Sequence, residues 1–223
     1  MQFFRHYSVF RNIIWMFLFC FLHGGLNAIE FELHPLGKLN RIGVSLAKGP
    51  VFGTGEIKGS FTRVNGKIYF ESKYPQQTKG SVLLDTKDLR FGYHKVDGDA
   101  QREKWLNSKK FPKIQFNLEG LKNGVWKKDT FFAQAQGTLT IKEKTSKISF
   151  PAQMKYLVAG RKKYDRKKGD LLILQGSLPL SRGSFGINPG GMLDIIQDQV
   201  SVNIRLVGCS AKSRPLLPSR LFI

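Results

Sequence analysis

The chain reads as an all-β domain with one short helix near its middle. Three observations carry this. Apolar and polar residues alternate with period two through most of the chain after residue 28. Gly, Asn and Pro punctuate these runs at hairpin spacing. Only one stretch, Gly98 to Phe116 (GDAQREKWLNSKKFPKIQF), strings helix formers together, and it turns into strand period after Pro112.

In that stretch Asp99 is the expected N-cap, its carboxylate facing the free amides of the first turn. Ala100 to Leu106 would form the helix, and Pro112 forces it to stop, because proline lacks an N–H and pushes Phe111 out of the helical region. Ile114, Phe116 and Leu118 then alternate with Lys113, Gln115 and Asn117, as a strand does.

The first 28 residues read as an address. Arg5 and Arg11 supply positive charge, Ile13 to Leu22 (IIWMFLFCFL) is an apolar run, and Leu26-Asn27-Ala28 offers a small-residue cleavage site. The run is about half the roughly 20 apolar residues a spanning helix needs, so a cleaved signal peptide fits better than an anchor. Lipidation at Cys20 fits poorly, because Phe19 before it is large. Removing 28 of the 223 residues leaves 195, enough for one domain with a core. Cys209 is then the only cysteine, so no internal disulfide is expected despite an oxidising route. The domain is expected over 29–208, with a disordered tail over 209–223.

Phe31 to Leu46 carries short alternating pieces, closed by Gly49-Pro50. Val64-Asn65-Gly66-Lys67 lies between two alternating runs and predicts a hairpin, since Asn-Gly suits a turn with positive φ. Val82, Leu84 and Leu89 form the next strand region. Lys113 to Glu119 is expected to turn back across Gly120 to Gly124. Phe131 to Ile141 has one face of Phe131, Ala133, Ala135, Gly137, Leu139 and Ile141 and an opposite face of Gln and Thr. Glu143 to Ser146 would turn it into Lys147 to Val158. Arg161 to Lys168 is a basic loop, Leu171 to Leu180 a strand, Gly183 to Gly191 a Gly-rich link, and Val200 to Leu206 a last strand.

Eight to ten antiparallel strands without crossover helices exclude a parallel sheet and leave a barrel or a sandwich. The small residues Ala133, Ala135 and Gly137 either leave room for a ligand or pack closely under a neighbour.

Several stretches together resemble a known family. They are Gly59-Ser60-Phe61; Gly98-Asp99-Ala100 leading to Lys110-Phe111-Pro112-Lys113-Ile114-Gln115-Phe116; Gly137 to Lys147 (GTLTIKEKTSK); and Ser181-Arg182-Gly183-Ser184-Phe185-Gly186-Ile187. In this order, behind a signal peptide, they resemble the YceI-like family of secreted bacterial lipid-binding proteins, from about Ile29 to Gly208. The resemblance implies an extended, lipocalin-like antiparallel barrel of about eight strands with one short helix near the middle of the chain. It also implies an elongated apolar pore holding a long amphiphile, such as a polyisoprenoid, an isoprenoid quinone or a fatty amide. A homodimer is compatible with it. The family's helix usually opens Arg-Asp-x-His; Gly98-Asp99-Ala100-Gln101 lacks that histidine. The basic loop and the net charge of +20 also depart from the family pattern.

The expected pore wall is Phe116, Leu118, Leu139, Ile141, Ile148, Phe150, Met154, Leu172, Leu174, Leu178 and Phe185, each of which would otherwise be ordinary core. Trp105 and Phe111 either plug the mouth or anchor core. Arg182 is the head-group candidate, against a structural ion pair. Arg161, Lys162, Lys163, Arg166, Lys167 and Lys168 are candidates for an anionic membrane surface, against a solvated loop.

Catalysis is not expected. His34 and His94 have no metal-ligand spacing, Gly53-x-Gly55-x-x-x-Gly59 has the wrong spacing for a dinucleotide site, and Asp85, Asp88, Asp97 and Asp99 do not form a calcium loop. No cofactor other than a bound lipid and no nucleic acid is expected. The function expected is a secreted or periplasmic carrier of a long-chain lipid. The alternative is a filled barrel docking by its basic face on a membrane or an acidic partner.

Overall fold

The structure, a computed structural model, describes residues 28–33 and 39–211. The leader up to residue 27, His34 and the tail from 212 lie outside the described residues. Ten strands form one antiparallel sheet: β1 (Ile29–Leu33), β2 (Arg41–Lys48), β3 (Glu56–Phe61), β4 (Asn65–Phe70), β5 (Lys79–Asp85), β6 (Lys113–Lys127), β7 (Thr130–Ile141), β8 (Lys144–Leu157), β9 (Leu171–Ser181) and β10 (Ile196–Cys209). Two short helices accompany them, α1 (His94–Ala100) and α2 (Arg161–Tyr164).

The order β1-β4-β5-β6-β7-β8-β9-β10 closes on itself, because β10 pairs back onto β1 at Gly208 and Cys209. The result is an eight-stranded barrel. β2 and β3 are added beyond it: β2 pairs with β10 from Ile196 to Arg205, and β3 pairs with β2. They continue the wall along the part of β10 that β1 does not reach. The free edge of β3 is caught by two backbone bonds, Ser60 N–H to the Arg90 carbonyl (2.8 Å) and Arg90 N–H to the Ser60 carbonyl (3.1 Å). The segment between β5 and β6 therefore caps this end, with Leu89, Phe91 and Leu106 buried in the core.

Two turn assignments from sequence are corrected. Asn65-Gly66 makes no hairpin, since β4 pairs with β1 and β5 and not with β3. Gly66 is required by close approach: a Cβ there would lie 2.0 Å from the Ser81 carbonyl oxygen. Gly120 to Gly124 is not a turn. β6 runs through it with register shifts after Leu118 and Lys122, and a Cβ at Gly124 would strike the Phe131 ring at 2.0 Å. The chain reverses instead at Lys128, which has φ +56°, and later at Lys142 and Glu143, with φ +49° and +63°.

The helix is also displaced. α1 begins at His94 and ends at Ala100, so Asp99 lies in its last turn rather than capping its start. The start is tied by Asp97, whose carboxylate accepts the Phe91 N–H at 2.5 Å. Beyond Ala100 the chain coils in successive turns, with Leu106 N–H donating to the Ala100 carbonyl (3.0 Å) and Asn107 at φ +48°. These turns aim Trp105 and Leu106 inward, which a continued helix over the exposed, charged residues 102–104 would not do. The basic loop contains one helical turn, α2, that sequence did not show.

Candidate functional site

The barrel encloses a cavity of about 220 Å³ whose lining is almost wholly apolar. Its walls are the inward residues of the strands, placed there by period-two alternation. Of the residues expected to form the wall, Phe116, Leu118, Leu139, Ile141, Ile148, Phe150, Met154, Leu174, Leu178, Phe185 and Trp105 do line it. Leu172 and Phe111 do not.

Leu172 belongs to the closed end of the barrel. It is fully buried there, beside a cluster in which the Phe31, Phe70 and Tyr156 rings lie with centroids 5.2–6.3 Å apart. This plug makes the expected pore a blind pocket. Phe111 sits outside it, half-buried, with the Lys110 and Lys142 ammonium groups 5.1 and 6.0 Å from its ring centre.

Sequence reasoning did not nominate Ile42, Val44 and Leu46 of β2, nor Val200, Val202, Ile204 and Leu206 of β10, all of which line the cavity. Their alternation was the available signal. The small-residue face of β7 divides. Ala135 lines the cavity, whereas Gly137 is filled by a neighbour: a Cβ there would lie 2.1 Å from the Asn117 carbonyl and 2.8 Å from the Phe116 ring.

The opposite end is built around Arg182, which is 2% exposed. Its Nε donates to the Gln197 carbonyl (3.2 Å). One terminal nitrogen donates to the carbonyls of Ile187 (3.0 Å) and Asn188, and the other to those of Gly191 (2.6 Å) and Ile196 (3.2 Å). Its face stacks on Trp105, 5.3 Å from the ring centre. All five N–H donors of the guanidinium are thus spent on backbone. This corrects the expected head-group role: Arg182 lines the cavity as the clamp of the loop between β9 and β10. Burial pulls its pKa below the ordinary arginine value, with Asp198 acting in the other direction. Asp198 accepts the Gly183 N–H at 2.8 Å; the Ser181 hydroxyl, this amide and Arg182 hold its carboxyl below the usual range.

One polar group near the cavity lacks a partner. The Gln101 side-chain oxygen and nitrogen are both buried without a hydrogen bond. The residue follows cavity-lining Ala100. Each such atom costs about 1–3 kcal/mol unless something meets it.

The basic loop divides as well. Arg161 is half-buried and bonded to Asp165 (2.7–3.3 Å) and to the Ser210 carbonyl (2.7 Å), so it is a latch rather than a surface cation. Lys162, Lys163, Arg166, Lys167 and Lys168 are exposed. Cys209 is buried at the end of β10 and burial raises its thiol pKa, which makes it unreactive. Among the described residues no cluster of His, Cys, Asp and Glu could hold a metal.

The family model described as "YceI-like domain" matches residues 40–208. No curated protein matches the chain. The fold is similar to BcnA of Burkholderia cenocepacia, with a TM-score of 0.60 and 18% identity, over 74% of this chain and 95% of that one. It is similar to the Campylobacter jejuni YCEI protein, at 0.58 and 17%, over 70% and 86%. It is also similar to a polyisoprenoid binding domain from Saccharophagus degradans, at 0.59 and 10%, over 82% and 99%.

Proposed function

We propose, proceeding from the fact that this chain belongs to the YceI-like domain family, that it is a binding protein whose barrel holds the apolar chain of a long amphiphile. The observation that carries this is the enclosed apolar cavity. At roughly 24 cal/mol per Å³, 220 Å³ left empty would cost about 5 kcal/mol. The volume exceeds the roughly 150 Å³ at which an apolar cavity stays dry and takes a small hydrocarbon. It falls short of the roughly 300 Å³ and more of pockets that enclose a drug-sized ligand. One apolar chain segment suits it, with the polar head outside the cavity. The likeness to a polyisoprenoid binding domain supports a polyisoprenoid as the class. The leader read in residues 1–28 supports a secreted or periplasmic setting. Uptake is driven by burial of the tail, at about 0.8 kcal/mol per CH₂. A barrel filled by its own side chains, the competing reading, is disfavoured by the same cavity.

The test is a thermal titration with a long-chain isoprenoid quinone, comparing wild type with Ala135→Phe. Saturation at a hundredfold over Kd should raise the wild-type midpoint by about 5–10 °C. Ala135→Phe projects a ring into the cavity and should abolish the shift. Equal shifts in the two proteins would refute cavity binding.

A further inference from the structure

At the Arg182 end of the barrel, four large apolar side chains stand exposed in two adjoining segments. Val51 and Phe52 are 69% and 58% exposed, and Met192 and Leu193 are each 44% exposed. The segments are sewn together by backbone bonds from Gly49 N–H to the Ile195 carbonyl (2.7 Å) and from Val51 N–H to the Asp194 carbonyl (3.0 Å). Gly49 permits this approach, since a Cβ would lie 2.3 Å from the Asp194 carbonyl.

The lip is also held rigid. Met192 adopts φ +58°, a left-handed conformation that a residue with a side chain keeps only when its surroundings enforce it. Its carbonyl accepts both the Ile195 and Ile196 N–H groups (3.0 and 2.8 Å). The carbonyls of Gly191 and Ile196 on either side are gripped by Arg182. A fold that spends a buried arginine on presenting methionine and leucine to solvent is presenting them to something. Contiguous exposed apolar surface of this kind marks a protein or membrane contact.

Charge selects between the two. The whole chain carries a net charge of +20; Lys48 directly precedes Gly49, Lys104 is joined to the β9–β10 loop by the Asn188 N–H bond to its carbonyl (2.7 Å), and Lys144 lies against Gly186 of that loop. Against them stand Glu56, already paired with Lys58 at 3.5 Å, Glu103 and Asp194. Apolar side chains projecting from a strongly basic protein fit an anionic bilayer, with tails below and phosphates around.

We propose that the lip of Val51, Phe52, Met192 and Leu193 docks the protein on an anionic lipid bilayer with the Arg182 end of the barrel facing the membrane. That the docked protein then exchanges lipid rests on the carrier reading above; the docking does not.

The experiment is flotation with vesicles of phosphatidylethanolamine and phosphatidylglycerol, in three proteins. They are wild type, Phe52→Ser with Leu193→Ser, and a variant with Lys162, Lys163, Arg166, Lys167 and Lys168 changed to serine. Organic extracts of each are analysed in parallel. The lip variant should partition about tenfold less than wild type, and the loop variant should lose less than the lip variant. Its extract should keep whatever lipid the wild type holds. A wild type that does not float, or a lip variant that floats like wild type, overturns the proposal. So does a lip that proves by sedimentation to pair two copies of the chain in place of binding vesicles. A lipid-free extract from a protein that floats by its lip would sink the carrier reading alone.

Discussion

The two ends of the barrel each bury an arginine, and the two are held in opposite ways. At the closed end Arg161 meets the Asp165 carboxylate and the Ser210 carbonyl, and Asp165 raises its pKa. At the opposite end Arg182 meets carbonyls and the face of Trp105, and burial lowers its pKa. The first charge is neutralised at contact; the second is carried by peptide dipoles. A paired latch can be left half-buried behind an aromatic plug. A guanidinium held by five carbonyls has another use: it fixes the shape of one loop, the loop that bears Met192 and Leu193.

The sharpest way to break this contrast is to remove Arg182. Arg182→Met leaves the carbonyls of five residues without their donor and should cost about 3–5 kcal/mol, read as a fall in the urea midpoint. Arg182→Lys should recover little of this, because an ammonium cannot copy the planar fork. A lysine variant as stable as wild type would show that charge, not geometry, holds the loop.

Acid acts more gently and on both ends, since Asp198 beside Arg182 and Asp165 beside Arg161 are each held below the usual carboxylate range. Arg161 and the Lys167 N–H hold the Asp165 carboxyl below the usual carboxylate range. A depressed folded value means that its stabilisation is complete above the unfolded value of about 3.9 and is lost as pH falls through the folded one. Urea midpoints measured from neutral pH downward should therefore fall on the acid side in wild type. Asp165→Asn should start lower and show a flatter acid limb; an unchanged acid limb would place the titrating group elsewhere.

The smallest effect is expected in the rest of the basic loop. Changing Lys162, Lys163, Arg166, Lys167 and Lys168 to serine should alter stability by less than about 0.5 kcal/mol per site, since these exposed charges lie outside the latch. A larger loss would mean that they help order the segment around α2.

Sequence revealed the sheet where period decides it. Phe131 to Ile141 and Ile148 to Met154 read as strands facing one interior, and their inward residues line the cavity, apart from Phe131, Ala133 and Gly137. It failed where glycine serves close approach instead of turning. Gly66 against Ser81 and Gly124 against Phe131 look like turn residues until the neighbouring strand is known. Asp99 looked like a cap because it precedes good helix formers, but packing of Leu106 and Trp105 overrides that propensity. The role of Arg182 was not legible, since its five acceptors lie at Ile187 to Gln197 and only the folded loop gathers them. The lip was equally hidden: Val51 and Leu193 are neighbours only through the pairing of β2 with β10.

The most direct test of the central claim is mass spectrometry of organic extracts from the natively produced protein. A long-chain isoprenoid or fatty amide at one equivalent per chain, missing from Ala135→Phe prepared in parallel, is the predicted result. Extracts that stay clean even after incubation with isoprenoid quinone and total lipid would contradict it.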